Sequence, residues 1–196
     1  MKALDLFCGL GGWSDGLVLE GFDVTGVEIE PKIAALYKHR VIVADVCSLN
    51  PEDFRGFDLI VGSPPCRNFS ILTTLGSHLK WKTRPDPEGE GMRLVNAFLN
   101  FIEKANPSFW LMENVPFLQR YYKKAKCTTK LEGDMRRCLW GNFPPFLVPY
   151  SLKPRNHNYG FSGPLKQWER AKIPMPVARA LGVAVRNALE NRGALC

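Results

Sequence analysis

Apolar and polar positions set one rhythm in the first 115 residues of the chain and lose it afterwards. Short apolar runs of strand length recur at KALDLF (2–7), DVTGVEI (23–29), VIVAD (41–45) and FDLIV (57–61). Each is bounded by glycine, proline or charge, which predicts a strand. Helical segments fall between them. WSDGLVLEG (13–21) reads as a short helix with a glycine stop, and PKIAALYKHR (31–40) opens with proline at a favoured first helical position. MRLVNAFLNFIEKA (92–105) puts Leu94, Val95, Phe98, Leu99 and Ile102 on one helical face. NPS breaks that helix, and FWLMEN (109–114) predicts the next strand. Strands alternating with helices imply an α/β fold with a doubly wound, mainly parallel sheet, in which 41–45 and 57–61 are buried strands.

Beyond Val115 the alternation fades. Residues 116–170 are rich in proline, aromatics and bases, with GNFPPFLVPY (141–150) in their midst. PVARALGVAVRNALENRG (176–193) then predicts a long amphipathic helix ending at glycine. The expected layout is an α/β body (1–117), a small irregular basic insertion (118–170) and a C-terminal helical segment (171–196) that packs back on the body.

Charge sharpens this layout. The 196 residues carry 26 Lys and Arg against 19 Asp and Glu, a net of +7. Residues 118–172 hold twelve of those bases and three acids, a net of +9, so the remainder nets −2. A basic third on a near-neutral body suits an anionic partner, nucleic acid above all. Trp140, Phe143, Phe146, Tyr150 and Tyr159 lie in this third, and a small apolar core is the favoured reading over base stacking. The six cysteines form no CxxC and no zinc-like spacing with histidine. With no signal peptide at MKALDLFCG and no apolar run of spanning length, the expectation is a cytoplasmic protein with reduced thiols, no metal and no membrane association.

Two places on the predicted sheet carry candidate chemistry. In doubly wound sheets, ligands bind beyond the carboxyl ends of the strands. CGLGG (8–12) is a glycine turn at such an end, but it is neither GxGxxG nor a Walker loop, so a pyrophosphate is not its obvious guest. The second strand ends in Glu28, an acid placed to hold a ribose diol, and the third in Asp45, placed to receive an adenine amino group. An adenosine compound without a pyrophosphate fits, and S-adenosylmethionine is such a compound. At the fourth strand end, SPPC (63–66) delivers Cys66 behind two stiffening prolines. At the fifth, Glu113 is followed by Asn114. A thiolate can add to an electron-poor carbon, with Arg67 beside it as a cation favouring that form. A carboxylic acid nearby can protonate or hydrogen-bond a ring nitrogen.

These motifs, in this order, resemble the cytosine-5 DNA methyltransferase family. DLFCGLGG (5–12), VEIEP (27–31), SPPCRNFS (63–70) and ENV (113–115) match the family's ordered motifs, and AKIPMPVARALGVAV (171–185) is similar to its closing motif. The resemblance implies a Rossmann-like S-adenosylmethionine-dependent methyltransferase sheet. It implies that Cys66 attacks C6 of a cytosine, that Glu113 stabilises protonation at N3, and that Asn114 helps position Glu113. Methyl transfer to C5 and loss of the C5 proton complete the reaction, with the target base flipped out of a duplex. The resemblance also places Phe7, Gly9, Leu10 and Gly11 along the cofactor. Glu28 should then hold the ribose, Ile29 pack on adenine, and Asp45 and Val46 follow the adenine edge, with Pro65 and Leu94 also in contact. Residues 70–91 match the family's mobile loop over the flipped base.

The chain departs from the family in four respects. Arg67 follows the cysteine where glutamine is usual. The Gln-x-Arg-x-Arg motif has no evident counterpart, and Arg155 in KPRNHNYG (153–160) is the nearest stand-in. Ala171-Lys172 stands where Gly-Asn is common. Only 55 residues (116–170) separate Val115 from the closing motif, where family members carry a larger recognition region. The expected activity is methylation of cytosine C5 in DNA by a monomer, with a separate recognition partner left open. RNA, in particular tRNA, is the alternative substrate, and a catalytically impaired nucleic-acid-binding homologue is the alternative to an enzyme.

Overall fold

The computed structural model describes residues 1–69, 86–130, 136–148 and 164–193. Seven strands form one sheet in the order β3-β2-β1-β4-β5-β7-β6. They are β1 (Lys2–Leu6), β2 (Asp23–Glu28), β3 (Arg40–Val43), β4 (Leu59–Gly62), β5 (Phe109–Asn114), β6 (Cys127–Lys130) and β7 (Arg136–Asn142). The first five run parallel, so their carboxyl ends share one edge. β7 pairs antiparallel with both β5 and β6. The strand order reverses at β1, which lies between β2 and β4, and this reversal opens a crevice at the carboxyl edge.

Alternation along the strands sorts their side chains between two cores. On one face, Ala3, Leu59, Val61, Leu111 and Leu139 pack with Trp13 and Leu17 of α1 (Gly12–Leu19) and with Val177, Ala178, Leu181 and Val185 of the C-terminal helix. That helix runs Met175–Gly193. It packs closely on α1 because Gly16 presents no side chain; a Cβ there would lie 2.5 Å from that of Ala178. On the other face, Leu4, Leu6, Ile60, Met112 and Trp140 meet Val95, Phe98, Phe101 and Ile102 of the helix Met92–Ala105. In chain order the helices are α1, α2 (Pro31–Ala34), α3 (Met92–Ala105), α4 (Lys166–Ala171) and α5 (Met175–Gly193).

Five expectations change. The helix predicted over 31–40 stops at Ala34, and Tyr37 turns its ring into the core. β3 is an edge strand, not a buried one, and Val43 is 53% exposed. On α3 the buried stripe includes Phe101 and Ala105, while Leu94 and Leu99 are half-buried. The stretch after Val115 is not irregular throughout, because β6 and β7 complete the sheet. Trp140 and Phe143 are buried there, but in the two main cores on opposite faces of the sheet rather than in a small core of their own; Tyr150 and Tyr159 lie outside the described residues.

Candidate active site

The turn between β1 and α1 passes through three left-handed residues, Phe7, Gly9 and Gly11, with φ of 60°, 53° and 80°. Glycine adopts this conformation freely, whereas at Phe7 it is strained and held by its surroundings. The Gly9 N–H donates to Glu28 Oε2 at 3.0 Å, and the Glu30 N–H donates to Glu28 Oε1 at 2.9 Å. The buried Glu28 carboxylate thereby joins the ends of β1 and β2. Two carboxylate oxygens offer about four acceptor sites, so two amides leave capacity for hydroxyl donors.

A buried polar column supports the turn from below. Ser14 Oγ donates to Asp5 Oδ2 at 2.6 Å and lies 2.6 Å from the Tyr37 hydroxyl. Ser14 has one hydroxyl hydrogen, so it accepts from Tyr37. Burial pushes the Asp5 carboxyl up to about 7; the Ser14 hydrogen bonds oppose this, and the charges of Glu28 and Asp15 add to it. Asp15 itself contacts His39 Nε2 at 3.0 Å and Lys172 Nζ at 2.8 Å. Burial works against its charge, but these two partners outweigh burial and hold its carboxyl below the ordinary range.

The other cofactor candidates line the same edge. Asp45 Oδ1 accepts from the Cys47 N–H at 2.9 Å, and Val46 is buried behind it. Arg93 Nη1 donates to Cys47 Sγ at 2.9 Å, which brings the start of α3, and with it Leu94, to this turn. Ile29 projects beside Glu28 with 60% of its surface exposed. Leu10 is half-buried, and Pro65 is exposed at the nucleophile loop.

Cys66 opens a single helical turn, Cys66–Phe69, directly after Pro64 and Pro65. Three anchors fix it. Trp13 Nε1 donates to Ser63 Oγ at 3.1 Å ahead of the prolines. Asn114 Nδ2 donates to the Pro64 carbonyl at 2.9 Å. Phe69 is wholly buried behind the thiol. Asn68 Oδ1 accepts from the Asp86 N–H at 3.1 Å, so the chain that leaves after Phe69 returns to the same point. Of the stretch 70–91 read as a mobile loop, residues 70–85 lie outside the described residues, and Pro87–Gly91 forms one wide helical turn capped by Asp86.

Glu113 is buried at the end of β5, and Arg137 Nη1 donates to its Oε1 at 2.8 Å. Sheet register explains the meeting. Glu113 stands opposite Leu139, and Arg137 is two residues along β7 on the same face. Burial pushes the Cys66 thiol up; Arg137 pulls it back, Glu113 pushes it up again, and Arg170 pulls it down. The principal cation acting on the thiol is therefore Arg137, not the sequence neighbour Arg67, which is exposed. Arg155, put forward from sequence as the substrate-orienting arginine, lies outside the described residues. In the sequence Arg137 stands out only as one of the twelve bases of 118–172. Its signal was present in RRCLWGN (136–142), where Arg137 and Leu139 alternate with Cys138 and Trp140 as a strand requires.

The C-5 cytosine-specific DNA methylase domain matches residues 1–138. The chain belongs to the C-5 cytosine-specific DNA methylase family. It is 30% identical over 163 residues to the type II methyltransferase M1.HphI of Haemophilus parahaemolyticus, a match covering 74% of this chain and 42% of that protein. It is 29% identical over 161 residues to M.NgoFVII of Neisseria gonorrhoeae, covering 76% and 40% respectively. The chain thus spans less than half the length of these curated relatives. A solved structure described as a DNA modification methyltransferase encoded within an E. coli prophage superposes with a TM-score of 0.57 at 23% identity. That superposition covers 84% of this chain and 56% of the other, and it supports the methylase fold. Among the described residues no helix is long and apolar enough to cross a membrane, and no cluster of acids, histidines and cysteines is grouped to hold a metal ion.

Proposed function

We propose that this methylase transfers a methyl group from S-adenosylmethionine to C5 of cytosine in DNA through a covalent Cys66 adduct. The observation that carries the reading is that the strand end bearing Glu113 is tied to the loop bearing Cys66, Asn114 Nδ2 donating to the Pro64 carbonyl at 2.9 Å. One guanidinium holds the Glu113 carboxylate at 2.8 Å and acts by charge on the Cys66 thiol. Family membership supplies the substrate class.

The residues at the carboxyl edge fit the cofactor. Glu28 is oriented by two backbone amides with acceptor capacity to spare for a ribose diol. Ile29 offers an exposed apolar surface beside it, suited to an adenine ring. Gly9 and Leu10 face the amino-acid end, and Asp45 with Val46 the adenine edge. S-adenosylmethionine, when bound, supplies the electrophilic methyl group.

The chain's own part in the chemistry follows from three side chains. Cys66, as thiolate, bonds to C6 of the cytosine, and the electron pair moves through the ring toward N3. Glu113, as the carboxylic acid, gives its proton to N3, so C5 becomes nucleophilic, and takes it back when the thiolate leaves; Arg137 fixes the carboxyl group that does this. After C5 is methylated, loss of its proton to a base restores the C5–C6 double bond and expels the Cys66 thiolate. In the resting site burial favours the neutral thiol, and Arg137 is the foremost group favouring its ionisation. Asn114 holds the Pro64 carbonyl and so the approach of the thiol.

The test is transfer from methyl-labelled S-adenosylmethionine, with cytosine-containing duplex DNA and tRNA as parallel substrates. The reading expects 5-methylcytosine in DNA and none with Cys66→Ala. Transfer to tRNA alone overturns the substrate assignment, and equal transfer by wild type and Cys66→Ala overturns the mechanism.

A further inference from the structure

α4 is tied to the glycine turn and to α1 at two points. Trp168 lies against the glycine turn, its Cε3 3.5 Å from where a Gly9 side chain would begin. Just past the helix end, Lys172 holds Asp15 of α1 at 2.8 Å. Between these anchors Arg170 carries a buried Nε with no hydrogen-bond partner among the described residues. Buried donors are ordinarily paired, and an orphan of this kind has capacity for a bound ligand. The Arg170 guanidinium acts by charge on the Cys66 thiol, and two residues earlier Trp168 touches the glycine turn. The guanidinium of Arg137, by contrast, is already engaged by Glu113.

The proposed reaction, on which this inference rests, brings few groups that suit such a donor. The cytosine ring offers only neutral acceptors, O2 and N3, and N3 is assigned to Glu113. The methyl donor carries a sulfonium, an ammonium and one carboxylate, and only the carboxylate attracts a guanidinium. A DNA phosphate is the other oxyanion in the complex, but it belongs to a bulky backbone outside the crevice, whereas the orphan nitrogen is buried. We propose that Arg170 receives the α-carboxylate of S-adenosylmethionine and so anchors the amino-acid end of the cofactor beside Cys66. In this arrangement α4 closes one wall of the cofactor crevice, with Trp168 lining the glycine turn and Arg170 reaching past it.

Calorimetric binding without DNA tests this. The probes are S-adenosylhomocysteine, which has the carboxylate, and 5′-methylthioadenosine, which lacks the whole amino-acid end. Arg170→Ala should weaken S-adenosylhomocysteine roughly 10- to 100-fold, the loss of a charge-assisted contact, and leave 5′-methylthioadenosine unchanged. Arg170→Lys should recover part of the loss. Equal weakening of both probes overturns the assignment and makes Arg170 a support of the pocket. Unchanged binding of both, with a raised KM for DNA, overturns it in favour of a phosphate. If the wild type binds neither probe, the methyl-transfer reading falls and this inference with it. If the wild type binds S-adenosylhomocysteine and Arg170→Ala binds it equally, this inference alone falls.

Discussion

Arg137 reaches Glu113 diagonally across the β5–β7 pair, with its Nη1 2.8 Å from Oε1. Both side chains are nearly out of water. Such a pair is weak evidence of net stabilisation, but breaking it leaves a buried charge without its partner. Arg137→Ala should therefore lower unfolding free energy by about 3–5 kcal/mol in denaturant titration. Arg137→Lys keeps a charge but loses the planar guanidinium. It should fold better than the alanine variant, yet show a slower, more alkaline pH profile for iodoacetamide labelling of Cys66. Identical labelling profiles in wild type and both variants would separate Arg137 from the thiol.

Asn114 makes a different kind of contact. Its amide holds the Pro64 carbonyl at 2.9 Å, and its own oxygen accepts from the Val115 N–H. Asn114→Ala should cost roughly 1–3 kcal/mol of stability through the buried carbonyl it abandons. On the proposed chemistry it should also cost about 100-fold in kcat, because a displaced nucleophile loses its alignment. Measuring kcat and KM for DNA separates the effects: positioning predicts a fall in kcat with KM for DNA little changed.

Asp5 predicts a pH dependence whose sign is fixed by its shift. Its carboxyl sits at about 7 when folded, against an ordinary value of 3.8. Between those values the folded chain binds a proton that the unfolded chain has released. The Asp5 contribution to stability is therefore fully present below pH 4 and lost as pH rises through 7. Asp5→Asn retains an acceptor for Ser14 and removes the titration. It should gain on wild type by a few kcal/mol at most, on the order of the shift, when both are compared by denaturant titration at pH 8, and show no such gain at pH 4. A parallel pH dependence in both proteins would remove Asp5 from the account.

The parallel half of the fold was legible because burial on both faces writes strands such as DLIV as plain apolar runs. The glycine turn, Glu28 and Glu113 were legible because each closes such a run, and Cys66 because two prolines follow one. β7 was not. It pairs antiparallel near the edge of the sheet, and its inward positions include an arginine whose buried charge is satisfied by Glu113, far away in sequence. A basic residue next to Arg136 and after a Lys-rich stretch reads as solvated surface, and only the sheet register shows that it faces inward. The predicted helix over 31–40 ended early for a related reason. Tyr37 is drawn inward by Ser14 beneath the glycine turn, a tertiary contact that helical propensity does not record. Arg170 gave no sequence signal, since its place depends on how α4 lies over Gly9 and Asp15.

The most direct measurement of the central claim uses duplex DNA containing 5-fluorocytosine, incubated with S-adenosylmethionine and the protein. Fluorine at C5 leaves no proton to remove, so the adduct cannot resolve. Peptide mass mapping should find the methylated fluoropyrimidine bonded to Cys66 in the wild type and no adduct in Cys66→Ala. Methyl transfer to ordinary DNA with no trapped adduct, or an adduct on another residue, would contradict the account.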